Sequence, residues 1–391
     1  MSSSNSLKVV VVDDTILYRK IVSDVLAEIP NVEVVGTANN GKIALSKIAS
    51  LKPDVVTLDI EMPVMSGLEV LAHIQKEFPE VHALVLSTLT QQGSEMTIRA
   101  LELGAFDFIP KPQSGTMNEN KQAVKDALVP MLKAIVRRRE IKTILKSKQP
   151  PKKDTPLTKD QIIQLTKTGT ISKATHTSSP PEDITARMQK LSKQPHTKSE
   201  IVAIGISTGG PNALAKMMPM IPGDIGVPIL IVQHMPPVFT QSLAKSLSTK
   251  CKVLVKEAVD GEILAPNVAF IAPGGKQMKI VASSDGKNRI IRITDDPPEN
   301  SCKPSADYLF RSVANYYVGR ATGVIMTGMG SDGLNGLKLM NRNGAFIIAQ
   351  DEATCTVFGM PKEPIEAGIV NVVSPLDQIA IEIIKTVKKF Y

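Results

Sequence analysis

The hydrophobic pattern changes character twice along the 391-residue chain. From residue 7, short and nearly unbroken apolar runs alternate with stretches of helical spacing. LKVVVV (7–12), VEVVGTA (32–38), DVVTLDI (54–60), HALVLST (82–88) and FDFI (106–109) read as strands. Helices are predicted over 15–29, 41–48, 67–78, 93–103 and about 119–137. Strands that are apolar at almost every position belong to a parallel sheet covered by helices on both faces. Residues 138–199 break the pattern. Lys, Thr, Ser, Gln and Pro dominate there, which is linker composition, with short helices predicted only over 157–166 and 183–192. From 200 the alternation resumes. Strands are predicted at 201–206, 229–233, 252–255, 268–272, 289–294, 322–327, 345–349 and 369–373. Helices are predicted at 210–218, 238–247, 304–317, 333–342, 361–367 and 375–388. The expected fold class is α/β: a five-stranded parallel domain over 6–130, a flexible basic linker over 138–199, and a second, doubly wound domain over 200–391.

Charge changes this picture only in the linker. The chain carries a formal +8, but residues 133–200 alone hold 16 Lys/Arg against 6 Asp/Glu, so the rest is close to neutral. The positive charge lies on a polar segment rather than on a folded face. It reads as a solvated linker or as a weak tether to an acidic partner or membrane surface. With aromatics at 4% and no Trp, stacking platforms for nucleic-acid bases are not expected, and no nucleic-acid partner is. Cys251, Cys302 and Cys355 are widely spaced and form no metal or redox motif. The N-terminus has no apolar signal core, and no run reaches the ~18 apolar residues of a membrane span. A cytoplasmic protein without membrane insertion is expected.

In open parallel sheets, functional groups gather at the carboxyl ends of the strands. Asp13 and Asp14 end the first strand, Asp59 the third and Ser87 the fourth, and Lys111 follows the fifth. Carboxylates meeting at one edge need a cation between them, and a hard divalent ion such as Mg²⁺ suits oxygen donors. Turn formation explains one or two of these aspartates, not the set. The segments VVVDDTILYRK, TLDIEMPVMSGLEVL, LVLSTLT and GAFDFIPKP resemble a response-regulator receiver domain, which has a flavodoxin-like fold. The resemblance implies that Asp59 accepts a phosphoryl group from a partner histidine kinase. It also implies that Asp13, Asp14 and Asp59, with the backbone carbonyl of Glu61, hold Mg²⁺. Ser87 and Lys111 would contact the phosphoryl group, and Phe108 would reorient on activation. Ser66 stands where the family often has Asp.

IVAIGISTGGPNALAKMM (201–218) leaves a strand through Gly205-Ile206-Ser207-Thr208-Gly209 and enters a helix at once. Flanking glycines permit a tight turn that exposes a serine hydroxyl, with helix N–H groups directed at the same place. The lesser readings of Ser207 are an N-cap and part of a phosphate cradle, but GISTGG is not GxGxxG and no P-loop lysine follows. A nucleophilic serine needs a base, and His234, in ILIVQHMPP, is the only histidine after residue 200. Asp332, in GVIMTGMGSDGLNG, is placed to orient it, with Asp260, Asp295 and Asp351 as competitors. The order Ser, His, Asp differs from the Ser, acid, His order of the α/β-hydrolase fold.

IGISTGGP, VQHMPP, IAPGGKQM and MTGMGSDGLNGL resemble the catalytic domain of the chemotaxis protein-glutamate methylesterase family. The resemblance implies a Ser207–His234–Asp332 triad, Thr208 beside the nucleophile, and the Met329 backbone N–H as an oxyanion donor. It implies hydrolysis of glutamate methyl esters, and deamidation of glutamines, on methyl-accepting chemoreceptors, with no cofactor for ester hydrolysis. Ile206 stands where many members have a small residue. A signalling adaptor with an inactive second domain, and a DNA-binding regulator, are the competing classes. The first conflicts with the complete Ser/His/Asp set, and the second lacks a helix-turn-helix signal.

Overall fold

The computed structural model describes residues 6–112, 114–147 and 197–388. The helices predicted at 157–166 and 183–192 lie outside them. The N-terminal domain runs β1 (Leu7–Val12), α1 (Ile16–Ala27), β2 (Val32–Ala38), α2 (Gly41–Leu51), β3 (Val55–Asp59), α3 (Gly67–Glu77), β4 (His82–Ser87), α4 (Gln91–Glu102), β5 (Asp107–Pro110) and α5 (Met117–Ser147). Its strands form one parallel sheet in the order β2-β1-β3-β4-β5. Every residue of β3 is buried, as is all of β1 except Lys8, which explains the unbroken apolar runs. Side chains define the helix starts: Asn40 caps α2, Thr90 caps α4, and Ser66 closes a capping box with Glu69 at α3. The serine at 66 thus serves the turn as a cap. Helix α5 continues to Ser147, ten residues past its expected end at 137.

The second domain runs β6 (Ile201–Ile206), α6 (Gly210–Met217), β7 (Ile229–Gln233), α7 (Phe239–Ser248), β8 (Leu254–Glu257), β9 (Val268–Ile271), β10 (Gln277–Ala282) and β11 (Arg289–Thr294). It continues through α8 (Ala306–Tyr316), β12 (Ala321–Ile325), α9 (Leu334–Arg342), β13 (Phe346–Gln350), α10 (Lys362–Glu366), β14 (Val372–Ser374) and α11 (Leu376–Val387). Seven strands form a parallel sheet ordered β14-β13-β12-β6-β7-β9-β8. β10 and β11 form a separate antiparallel ribbon in which Gln277 faces Thr294 and Ala282 faces Arg289. β10 was not expected from the sequence. The large sheet reverses its winding around β6, which lies between β12 and β7. Ligand crevices form at such switch points, at the carboxyl ends of the strands.

The domains are docked. One buried apolar cluster includes Val85 and Phe108 of the first domain and Phe239 and Leu243 of the second. Phe108 stacks on Phe239 with centroids 4.6 Å apart, and Ser94 of α4 meets Ser242 of α7 at 2.7 Å. Lys250 pairs with Glu102 at 2.5 Å, and Asn212 Nδ2 donates to the Ala105 carbonyl at 3.0 Å.

Candidate active site

Ser207 follows β6 directly, His234 follows β7, and Asp332 lies beyond β12. The three strands are adjacent, so their ends bring the three residues to one crevice. The turn after Ser207 depends on Gly209, whose φ of +73° lies in the left-handed region and whose Cβ position is closed off by Thr356. The elbow is tied down through its backbone. Ser207 N–H donates to the Thr327 carbonyl at 3.0 Å, and the Ser207 carbonyl accepts from Gly210 N–H at 2.7 Å and from Gln233 Nε2 at 3.0 Å. Gln233 also donates to the His234 carbonyl, so it couples the two strand ends.

Asp332 is the most heavily bonded carboxylate of the crevice. One oxygen accepts from His234 Nε2 at 2.8 Å and Ala306 N–H at 2.6 Å. The other accepts from Asn300 Nδ2 at 2.9 Å, Ser305 Oγ at 2.8 Å and Asp307 N–H at 3.2 Å. The two backbone donors are the N-terminus of α8, whose dipole favours the negative charge. Burial pushes the Asp332 carboxyl up, but the bonds from His234, Asn300 and Ser305 outweigh it and hold the group at about 2. Of the competing acids, Asp260 pairs with Arg292, Asp295 with Lys276, and Asp351 caps Thr354. The structure therefore selects Asp332 as the partner of His234.

An ionised carboxylate only accepts, so Nε2 of His234 carries the proton in this bond and Nδ1 is the nitrogen left for other work. Nδ1 faces Cys302 Sγ at 3.6 Å. Burial opposes charging the ring, yet the Asp332 and Cys302 contacts prevail and raise His234 to about 9. No hydrogen bond joins Ser207 to His234 among the described residues. Catalytic hydrogen bonds are often long before substrate arrives. Thr208 is buried, and its carbonyl accepts from Thr327 Oγ1 at 3.0 Å. Met329 lines a cleft of about 420 Å³ together with Thr356 and Phe358 of the second domain and Lys133 and Arg137 of α5.

The residues that sequence reasoning missed are the ones holding the acid and the elbow: Asn300, Ser305, Gln233 and Cys302. Ser305 carried a readable signal, as a serine before an apolar helical pattern. Asn300, Gln233 and Cys302 carried none.

The second constellation sits at the β1/β3 switch point. Lys111 Nζ lies 2.8 Å from Asp13 and 2.7 Å from Asp59, and all three are buried. Asp13 also accepts from Thr15 N–H at 2.9 Å. Burial, opposed by Lys111 and reinforced by Asp13 and Asp14, raises Asp59 to about 6. Carboxylate oxygens of Asp13, Asp14 and Asp59 lie within 4.8 Å of one another, a hard donor set that fits Mg²⁺. Glu61 is exposed. Ser87 is held away from solvent by Thr97 Oγ1, at 2.5 Å, and by the Gly93 carbonyl. No helix among the described residues is long and apolar enough to cross a membrane.

Fold and crevices together define a response regulator whose output domain is an ester hydrolase. Residues 9–124 match the family described as response regulator receiver domain, and residues 202–383 match CheB methylesterase. The chain belongs to the protein-glutamate methylesterase/protein-glutamine glutaminase family. It is 56% identical over 386 residues to the Desulfotalea psychrophila protein of that name, covering 98% of this chain and 100% of that relative. It is 40% identical over 387 residues to the Bacillus subtilis protein of that name, covering 98% and 99%. The crystal structure of the Thermotoga maritima CheB methylesterase catalytic domain is similar at 38% identity and a TM-score of 0.47. That match covers 48% of this chain and 99% of that one.

Proposed function

We propose that the chain removes methyl groups from glutamate methyl esters on chemoreceptors by acyl transfer through Ser207. The observation carrying this reading is the His234–Asp332 bond of 2.8 Å at the strand ends flanking the serine turn. His234, through Nδ1, takes the Ser207 proton as Oγ attacks the ester carbonyl. Backbone N–H groups at Thr208 and Met329 stabilise the oxyanion. The C–O bond to methanol breaks as His234 returns the proton to the leaving oxygen. Water, deprotonated by the same nitrogen, then cleaves the acyl-serine and releases the glutamate. Asp332 fixes the tautomer and balances the imidazolium charge. The Asp332 and Cys302 contacts raise His234, which favours the imidazolium that forms as the ring takes the serine proton. Ammonia in place of methanol as leaving group gives glutamine deamidation by the same steps.

The receiver supplies control. A histidine kinase phosphorylates Asp59 in this reading, with a cytoplasmic setting for both reactions. Asp13, Asp14 and Asp59, with the Glu61 carbonyl, would hold Mg²⁺, which when bound supplies charge neutralisation for the incoming phosphoryl oxygens. Lys111 and Ser87 then engage the new anion. In the unphosphorylated chain, the contacts of Phe108 and Ser94 with α7 cover the Ser207 edge, and phosphorylation weakens them.

The test is methanol release from methylated chemoreceptor, with and without acetyl phosphate and Mg²⁺. Release that is lost in Ser207→Ala and raised by the phosphoryl donor is expected. No release from the unaltered protein under either condition would favour an adaptor, with Ser207 a helix cap.

A further inference from the structure

Apart from the acidic cluster of the receiver, one other group of metal-ligating side chains closes up among the described residues. His234, Cys302 and Asp332 place one ligand atom each within 4.8 Å of the others. The three are not equivalent. Asp332 is occupied by five donors and has no oxygen to spare. It takes the Nε2 proton of His234, the arrangement in which a carboxylate orients an imidazole and leaves the second nitrogen to a metal. That second nitrogen, Nδ1, lies 3.6 Å from Cys302 Sγ. Tetrahedral zinc, at Zn–N of about 2.05 Å and Zn–S of about 2.3 Å, separates a nitrogen and a sulfur ligand by about 3.6 Å. The pair already spans one edge of a zinc tetrahedron. Neither side chain is fully buried.

We propose that His234 and Cys302 bind a thiophilic divalent cation, Zn²⁺, and that its binding switches off the esterase. The switch rests on the acyl-transfer reading above; the site does not. As the Zn–S and Zn–N bonds form, the Cys302 thiol gives its proton to solvent, a charged His234 ring gives up its Nδ1 proton as well, and the hexaaqua ion loses four waters as it becomes tetrahedral. No electrons are transferred. The bound ion occupies the Nδ1 lone pair that the Ser207 proton requires. A thiolate–imidazole pair selects zinc over magnesium, whereas the all-oxygen receiver cluster suits magnesium, so the two ions act at separate places.

The test uses the full-length protein with saturating Mg²⁺ and Zn²⁺ or Co²⁺ as the only added probe. Co²⁺ should give a thiolate-to-cobalt charge-transfer band in the near ultraviolet, which the sulfur-free receiver cluster cannot produce. The band should vanish in Cys302→Ser and persist in Cys251→Ser. Micromolar Zn²⁺ should suppress methanol release, a chelator should restore it, and Cys302→Ser should raise the zinc needed for half-inhibition about tenfold or more. A band that never forms, or that survives Cys302→Ser, overturns the site whatever the activity. A Cys302-dependent band without inhibition overturns the switch. An intact band in a protein that releases no methanol at any zinc level supports the site and overturns the esterase reading instead.

Discussion

Asp107 of the receiver places its Oδ2 3.2 Å from the amide nitrogen of Gly209, two residues beyond Ser207. Its other oxygen accepts from the Phe108 N–H at 2.8 Å. A carboxylate of one domain thus accepts from the N-cap residue of the elbow helix of the other. The positive end of α6 lies there and favours the negative charge.

This contact makes the docked fold sensitive to pH. Burial raises Asp107 to about 6 against an ordinary value of 3.8, with the two N–H bonds opposing less strongly. A carboxyl raised in the folded state favours that state when protonated. Its contribution is complete below about 3.8 and is lost as pH rises through about 6. The full effect is about 3 kcal/mol as an upper figure. Urea unfolding of the full chain and of Asp107→Asn between these pH values is the measurement. The stability of the unaltered protein relative to the variant should fall as pH rises. A difference independent of pH would show that the docked fold does not raise Asp107 above its unfolded value.

Phe108 contributes the aromatic side of the same interface. It is 7% exposed and stacks on Phe239 at an interplanar angle of 22°. Stacked pairs contribute about 1 kcal/mol beyond the area they bury. Phe108→Ala should therefore shift the balance toward separated domains and raise methanol release without a phosphoryl donor about five- to tenfold. A phosphoryl donor should then add little. Unchanged basal release in a folded variant would mean that this stack does not restrain the esterase.

Much of this arrangement was legible because the two sheets are parallel and buried. Runs such as IVAIGI and ILIVQ end abruptly at polar residues, and strand ends are where such folds place chemistry. Ser207, His234 and Asp332 were singled out that way, and the structure joins the last two by a hydrogen bond. Spacing could not separate Asp332 from Asp260, Asp295 and Asp351, because the deciding partners, Asn300 and Ser305, act across 32 and 27 residues. β10 escaped notice because a ribbon strand, Gln277–Ala282, that opens on Gln277 and carries Lys279 within it lacks the continuous apolar signal of the main sheet. Cys302 meets His234 across 68 residues, and its isolated position in the sequence hid the pairing.

Asp332 owes its role to acceptors only. In Asp332→Asn, one oxygen becomes an NH₂ group that cannot accept from both His234 Nε2 and Ala306 N–H. The ring loses the partner that fixes its tautomer. By analogy with other serine hydrolases, kcat should fall by about 10³- to 10⁴-fold while KM changes little. Asn300→Ala removes one donor of five and should cost about tenfold. Steady-state methanol release from the two variants separates these outcomes. Equal losses would show that Asp332 is held by its surroundings as a unit and not through His234.

Lys111 is the only cation within 3 Å of Asp13 and Asp59 among the described residues. Removing one partner of a buried ion pair costs about 3–5 kcal/mol, because the other charge is left uncompensated. In Lys111→Ala two buried carboxylates lose their counter-charge together, with Asp14 close by. The melting temperature of the receiver should fall by many degrees. Millimolar Mg²⁺ should recover more of that loss than it adds to the unaltered protein, because the ion takes over a charge that Lys111 otherwise supplies. Thermal denaturation of both proteins with and without Mg²⁺ decides the matter. An equal magnesium increment in the two would mean that Lys111 and the ion do not share the charge of this cluster, so that Lys111 would serve packing against Tyr18 instead.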